Sequence, residues 1–196
     1  PESDQPLVIT PAMQFDYAAT LFDAKDWETA DVEFKRYLHF FPGGRNRAEA
    51  EFKIGVCRFN RKKFHDAAKA FNTIILSGEE TAFTREAYFM QSRAFVNMGN
   101  IGYAQIVLQN FLKLNEDEAV RDRIYFSLAK IELFRAKNGS DEALGNALEY
   151  LSELSENARI TYAADDLEAL LIKARQAPKK NPTAAGIFSI IPGGGF

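Results

Sequence analysis

Residues that build disulfide frameworks and Cys/His metal sites are scarce in this sequence. Its 196 residues include one cysteine, Cys57, and two histidines, His39 and His65. These numbers exclude a disulfide framework, a Cys/His zinc site and the paired histidines of a zinc-protease helix. Both histidines lie in segments predicted below to be helices or the turns between them, and they support no Ser-His-Asp arrangement. We therefore predict no cofactor, no metal site and no catalytic residue.

An excess of basic residues is missing as well. Lysine and arginine number 24 against 27 aspartates and glutamates, and the formal net charge is −3. A protein that follows nucleic-acid phosphates neutralises many of them, so we predict no nucleic-acid partner. Hydrophobic residues make up 46% of the chain, which is enough for a folded core and excludes disorder over most of its length.

Proline and valine are rare in the middle of the chain. Six of the seven prolines lie within residues 1–11 or 177–196, only Pro42 interrupts the centre, and the whole chain has six valines. Because proline removes an amide donor and clashes with the preceding helical turn, a stretch so poor in it favours helices. Residues 12–176 are therefore predicted to be all-helical.

The central region repeats with a period of 37 residues. A small residue recurs at this spacing inside otherwise bulky helices, as expected where two helices pack closely. These residues are Ala18, Gly55, Ser92 and Ala129. In each second helix an alanine is followed four residues later by a large apolar residue, which places both on one helix face. These pairs are Ala30 with Phe34, Ala67 with Phe71, and Ala104 with Leu108.

These residues resemble the tetratricopeptide repeat. The first repeat fills the family's small, aromatic, alanine, aromatic and proline positions. The residues concerned are Ala18, Trp27, Ala30, Phe34 and Pro42. Later repeats depart from the pattern: Glu79 replaces the proline in the second, and Ile101 replaces the first aromatic in the third. In the fourth, an insertion around residues 137–140 shifts the second-helix match by six residues.

The resemblance implies an all-α fold, a right-handed superhelical solenoid of about four helical hairpins with a C-terminal capping helix. The implied boundaries are about 12–45, 48–80, 85–116 and 121–155 for the repeats and 158–176 for the cap. Residues 1–11 would form an extended N-terminal arm, and residues 177–196 an apolar tail containing Pro and Gly. The family also implies a non-enzymatic protein–protein interaction scaffold whose first helices line a concave surface.

A finer resemblance is to bacterial envelope proteins of the outer-membrane assembly lipoprotein and cell-division coordinator type. It rests on the period of 37, against about 34 in the common repeat, and on the segments Phe40-Phe41-Pro42 and Ile54-Gly55-Val56-Cys57. It implies a periplasmic or envelope-associated location in a bacterium. The alternative is the cytoplasm, which Lys179-Lys180 beside an apolar segment favours.

The family geometry also indicates a binding surface. Position five of the repeat faces the concave side and is phenylalanine in all four repeats. We predict that a partner's peptide or apolar segment binds there, because rings accept side chains and asparagine amides bond peptide backbone. The predicted groove consists of Phe15, Phe22, Phe52, Phe59, Asn60, Phe89, Arg93, Asn97, Phe126, Lys130 and Phe134. The alternative is that these rings only pack successive helices.

A second function remains open, that of a structural or oligomerisation module of a membrane-anchored envelope protein. Its groove would be filled by its own or a neighbour's tail, with self-association through residues 183–196, which carry several apolar side chains. The apolar stretch in this tail is shorter than the roughly 20 residues that span a bilayer. It resembles the opening of a membrane-embedded region, so we expect membrane association if the natural chain continues beyond Phe196.

Other charged clusters are interpreted as structural. The acidic runs 79–80 and 116–118 sit at expected helix starts, where carboxylates complement the helix dipole. The basic cluster Arg58, Arg61, Lys62 and Lys63 sits at a first-helix end, where cations are favoured for the opposite reason. We interpret it as a solvated helix end. Cys57 is predicted to be a small buried thiol.

Overall fold

The computed structural model describes residues 8–136 and 140–176, and within these ranges every regular element is an α-helix. The all-α class predicted from the sequence is confirmed. The helices are α1 Pro11–Asp23, α2 Trp27–Phe40, α3 Arg47–Asn60, α4 Phe64–Leu76, α5 Ala82–Asn97, α6 Ile101–Leu114, α7 Glu118–Ala136, α8 Asp141–Ser152, α9 Glu156–Thr161 and α10 Ala164–Gln176. Residues 1–7 of the predicted arm, the insertion at 137–139 and the tail from 177 onward lie outside the described residues.

The helix ends follow from local chemistry. Thr10 precedes α1, and its hydroxyl accepts a hydrogen bond from the N–H of Met13 at 3.2 Å. A carboxylate oxygen of Asp26 accepts from the N–H of Thr29 at the start of α2. Such caps satisfy amide groups that have no partner within the helix. Helices α1 and α2 therefore begin directly after residues that cap them.

The turns between paired helices repeat with the same period as the sequence. Lys25 (φ 62°), Lys62 (φ 59°) and Gly99 (φ 76°) are 37 residues apart, and all three adopt the left-handed conformation. Each lies two residues beyond the last residue of a first helix. A lysine in this region is uncommon because its Cβ crowds the backbone. The recurrence of so unusual a conformation shows that one supersecondary unit is repeated.

The chain divides into two compact units, Pro1–Met98 and Gly99–Phe196. In the first unit α2 packs on α1 and α3, and α4 packs on α3 and α5. The predicted small positions lie at these contacts: Ala18 is fully buried, and Gly55 lies directly against the ring of Phe71. Phe34 and Phe71, the large second-helix residues, are also fully buried. The first unit thus has the tight helix pairs that the spacing predicts.

The second unit has its own core. Helix α7 packs on α6 and α8, and α10 packs on α8 and α9. Leu128, Leu151 and Leu171 are fully buried there, as is the small residue Ala129. The single capping helix predicted over 158–176 is instead two helices. Helix α9 ends at Thr161, and the left-handed Ala163 (φ 49°) lies between it and α10.

A buried carboxylate joins the first helix pair of unit one. Glu33 in α2 is 5% exposed, and one of its carboxylate oxygens accepts a hydrogen bond from the side-chain amide of Gln14 at 2.9 Å. Arg36, one turn later, donates to both oxygens at 2.8 and 2.9 Å. The charge is therefore taken up by donors from two helices.

The second unit contains the same combination. Glu132 in α7 is 1% exposed and accepts a hydrogen bond from the side-chain amide of Gln105 in α6. Arg135 donates to its two oxygens at 3.0 and 3.1 Å. In both units a glutamine from one helix and an arginine three residues later hold a buried glutamate.

Candidate protein-interaction surface

The position-five phenylalanines of the first unit belong largely to the interior. Phe15 is 6% exposed, and its ring centroid lies 5.6 Å from that of Phe34 and 5.4 Å from that of Tyr37. Phe89 is also 6% exposed. Because both rings are almost fully buried, they offer little surface to a ligand. A peptide contact at these two rings stays a prediction.

Phe52 and Phe126 are half-buried and have aromatic neighbours. The Phe52 ring lies 5.6 Å from Phe71 and 5.7 Å from Phe83, centroid to centroid. In the second unit, Phe126 stacks on Tyr162 with centroids 4.1 Å apart and planes within 5°. Packing therefore accounts for much of each ring, as the structural alternative expected. A peptide contact at these rings stays a prediction.

The Phe22 and Phe59 rings of the first unit lie closer to solvent, and each has a cation above it. Phe22 is half-buried, with the Lys53 ammonium nitrogen 4.6 Å from its centroid. Phe59 is likewise half-buried, with the guanidinium carbon of Arg93 5.3 Å from its centroid. In both cases the ring comes from one first helix and the cation from the next. Such contacts order the long cationic side chains over the ring faces.

Asn60 and Asn97 are exposed and share one geometry. The amide N–H of Asn60 donates to the carbonyl of Val56, and that of Asn97 donates to the carbonyl of Arg93, both at 2.9 Å. The bond to the preceding turn fixes each side chain. An asparagine amide has two N–H donors and one oxygen acceptor, so an N–H and the oxygen remain for another partner. We call the surface formed by Phe22, Lys53, Phe59, Asn60, Arg93 and Asn97 the first-helix face.

The two remaining predicted residues lie in the second unit. Phe134 is 40% exposed near the end of α7, and Lys130 is half-buried one turn earlier. They share a helix face with Phe126, as their spacing of four residues predicts. Their role in binding stays a prediction.

The charged and nucleophilic residues that the sequence analysis interprets as structural have matching surroundings. Cys57 is fully buried, and burial, assisted by the charge of Asp31, raises the pKa of its thiol to about 12. It is therefore protonated and enclosed at neutral pH, as expected for a structural thiol. Asp117 caps α7 by accepting from the N–H of Val120 at 3.2 Å. Within residues 8–136 and 140–176, no three His, Cys, Asp or Glu residues are grouped to hold a metal ion.

One charged group was missed by sequence reasoning. Asp31 in α2 is buried, with a side chain only 7% exposed, and three cations converge on it. Lys35 lies 2.8 Å from one carboxylate oxygen, Arg58 3.6 Å from the other, and Arg61 3.8 Å from the first. The available signal was an aspartate directly after Ala30, inside the apolar face of a helix. The sequence predicts a solvated helix end for the two arginines; the structure instead turns them toward this carboxylate.

Comparison with known proteins agrees with the repeat pattern. Residues 49–77, which cover most of α3 and all of α4, match the family model for the tetratricopeptide repeat. A solved structure of a TPR repeats protein from Bacteroides fragilis NCTC 9343 is 18% identical, with a TM-score of 0.51, over 93% of this chain and 84% of that chain. The fold is that of a tetratricopeptide-repeat protein. A search of curated proteins gives no match.

Tetratricopeptide repeats are generally non-enzymatic scaffolds for protein interactions. The match at 49–77 falls within the repeat predicted at about 48–80.

Among the helices of the described residues, none is both long and apolar enough to cross a membrane.

Proposed function

We propose that this protein is a non-enzymatic scaffold that holds a peptide segment of a partner protein on the first-helix face. The observation that carries this proposal is the recurrence of one arrangement at two successive first helices. A half-buried ring is covered by a cation from the next helix, at Phe22 with Lys53 and at Phe59 with Arg93. These half-buried rings retain apolar surface for a side chain of the peptide.

Two exposed asparagines of the first-helix face provide polar groups for a peptide backbone. Asn60 and Asn97 are 37 residues apart and anchored identically to their own helices. Side chains held in this way lose little conformational freedom when a ligand binds, so their remaining donor and acceptor groups are preorganised. A peptide backbone presents alternating N–H and C=O groups, which is the complement that an amide can satisfy. This role differs from the Phe-lined groove at Phe15 and Phe89, whose rings are buried.

The expected affinity is modest. A net hydrogen bond contributes about 0.5–1.5 kcal/mol, and association alone costs an estimated 4–15 kcal/mol. Two amides and the edges of two rings exceed this cost by little, so we expect a short peptide to bind weakly. A longer partner segment would add contacts beyond this face.

A selected peptide tests the proposal. Peptides that bind wild type are isolated from a random display library, and their affinities are measured for an Asn60→Ala, Asn97→Ala variant. We expect about tenfold weaker binding, since a factor of ten corresponds to about 1.4 kcal/mol, or roughly one to two hydrogen bonds. The control is Asn110→Ala, an exposed asparagine on α6, which should bind as wild type does. Equal affinity of the double variant and the control would refute this face as the binding site.

Two finer predictions rest on the sequence alone. The location in a bacterial envelope rests on short segments of resemblance, and locating the tagged natural protein in cell fractions tests it. Self-association through residues 183–196 concerns a part of the chain outside the described residues. It predicts that deleting this tail lowers the number of chains per particle, calculated from the mass measured by light scattering. An unchanged number of chains would contradict it.

A further inference from the structure

A second polar surface lies in unit one, on α2, α4 and the end of α3. It is a cleft of about 380 Å³ between α2, the end of α3 and α4. Five cations and two carboxylates line it, a formal excess of three positive charges in a protein whose net charge is −3. We call it the basic cleft; its charged residues are Asp31, Lys35, Arg58, Arg61, Lys63, Asp66 and Lys69.

The two arginines of the basic cleft are incompletely paired. Arg58 and Arg61 lie 3.6 and 3.8 Å from the oxygens of Asp31, beyond ordinary hydrogen-bond length. Within the described part of the chain, the buried Oδ1 of Asp31 accepts no hydrogen bond. One carboxylate thus holds two guanidinium groups in place and leaves N–H donors of each uncommitted. A guanidinium group has five such donors, suited to carboxylate or phosphate oxygens.

The other charges around the arginines are accounted for. Arg61 also pairs with Glu28, whose side chain is 75% exposed at the rim, and Lys35 pairs with Asp31 at 2.8 Å. Arg58 makes a 3.5 Å contact to the backbone carbonyl of Asp66. These contacts orient the cations toward the cleft while leaving its excess charge in place.

Lys63 and Lys69 complete the lining. Both are exposed, and neither forms an ion pair with any residue in the described ranges. From Lys63 to Thr73 the lining follows α4 for roughly 15 Å, at about 1.5 Å per residue. An extended chain covers that distance with four or five residues at about 3.3–3.6 Å each. The length suits a peptide segment better than a single small anion.

We propose that the basic cleft binds an acidic peptide segment of a partner protein, through carboxylate or phosphate groups that contact Arg58, Arg61, Lys63 and Lys69. This site is separate from the first-helix face, because the two share no residue and the cleft is lined by α2, α4 and the end of α3. A partner carrying an apolar segment and an acidic segment could engage both surfaces of unit one. Linking two weak sites in this way raises the overall affinity without new contacts.

The test uses three labelled hexapeptides, of glutamate, of phosphoserine and of glutamine, titrated into the whole chain by fluorescence anisotropy at 50 and 200 mM salt. The glutamate or phosphoserine peptide should bind, more weakly at high salt, because screening shortens the reach of exposed charges. Glutamine should not bind. Whichever anionic peptide binds more tightly identifies the group recognised, and binding of either supports the proposal. Equal binding of the glutamine peptide would overturn it.

Matched variants locate the site. Lys63→Ala with Lys69→Ala should weaken binding about tenfold, as expected for loss of two charge-assisted contacts. The control, Lys113→Ala with Lys173→Ala, removes the same charge from exposed positions in unit two and should change affinity less than about twofold. Glu28→Gln should tighten binding severalfold, because it releases Arg61 from its rim partner. Far-UV circular dichroism checks that each variant is folded.

Equal weakening by the two lysine pairs would mean a response to net charge alone and would overturn the proposal. The proposal also fails if an RNA oligonucleotide or anionic vesicles, but neither anionic peptide, bind through Lys63 and Lys69. The first-helix face is unaffected by either outcome, since its test uses the Asn60 and Asn97 variant and different peptides.

Discussion

Replacing Gly55 with alanine tests a close helix contact of unit one. A Cβ atom at this position would lie 2.5 Å from Cε1 and 2.8 Å from Cζ of Phe71, whereas ordinary van der Waals contact begins near 3.4 Å. The Phe71 ring is fully buried and lies 5.6 Å from the Phe52 ring, so it has little room to retreat. Relief requires the ring or a helix to move by roughly 1 Å.

Two opposing effects set the magnitude. Overpacking of this kind costs about 1–3 kcal/mol, while alanine gains about 1 kcal/mol over glycine in a helix interior. We expect Gly55→Ala to lower the free energy of unfolding by up to about 2 kcal/mol. In a Phe71→Leu background the ring is gone, so the same alanine should stabilise. The coupling energy between the two positions should be about 1–3 kcal/mol.

Trp27 provides the assay. It is the single tryptophan of the chain and lies in unit one, with its ring 5.1 Å from that of Phe22, so its fluorescence reports urea unfolding of this unit. Gly43→Ala is the control, because no atom lies within 4 Å of its Cβ position. It should change stability by less than about 1 kcal/mol. Stabilisation by Gly55→Ala, with a coupling energy below about 0.5 kcal/mol, would refute the close contact.

Three further changes test other parts of the structure. The folded Cys57 thiol keeps its proton up to a pKa of about 12 against 9.0 when unperturbed, so the free energy of unfolding should fall as pH rises from about 9 to 12. Cys57→Ala should lack that component in urea titrations across this range. Asp122→Ala should cost about 1–3 kcal/mol by circular dichroism, because the N–H and hydroxyl of Ser155 lose their acceptor. Tyr162→Ala should cost at least about 0.5–1.5 kcal/mol and weaken the near-ultraviolet dichroism of the Phe126 stack.

The sequence was informative where a single position determines local packing or conformation. Small residues such as Ala18 and Gly55 could be predicted at helix contacts, because a larger side chain has no space there. The turns at Lys25 and Lys62 could be placed from the repeat period, because equivalent positions 37 residues apart adopt the same turn conformation. These features depend on spacing along the chain, which is directly readable.

Other features depend on how helices pack in three dimensions. A phenylalanine at position five is equally compatible with a groove and a core, and the structure buries Phe15 and Phe89. The break at Ala163 has no glycine or proline to signal it, and packing of Tyr162 on Phe126 and burial of Ala164 accompany it. Spacing alone could not reveal either arrangement.

The convergence of Arg58 and Arg61 on Asp31 has the same origin. The sequence shows a run of cations after an apolar helix, which is typical of a helix end exposed to water. Only the packing of α2 against α3 brings the buried carboxylate within 4 Å of both arginines. A charge inside an apolar helix face, as at Asp31, is the residue type to examine first when such clusters are interpreted.

The buried glutamates determine the alignment of the helix pairs along their axes. Apolar contacts between alanine and phenylalanine are non-directional, so they tolerate a slide of one helical turn, about 5.4 Å. Such a slide would withdraw Gln14 from Glu33, or Gln105 from Glu132. The loss of a partner by a buried carboxylate strongly destabilises the folded protein. Each unit therefore selects a single alignment among those its apolar surfaces would permit. Hairpins with similar cores can then follow one another in a chain without mispairing.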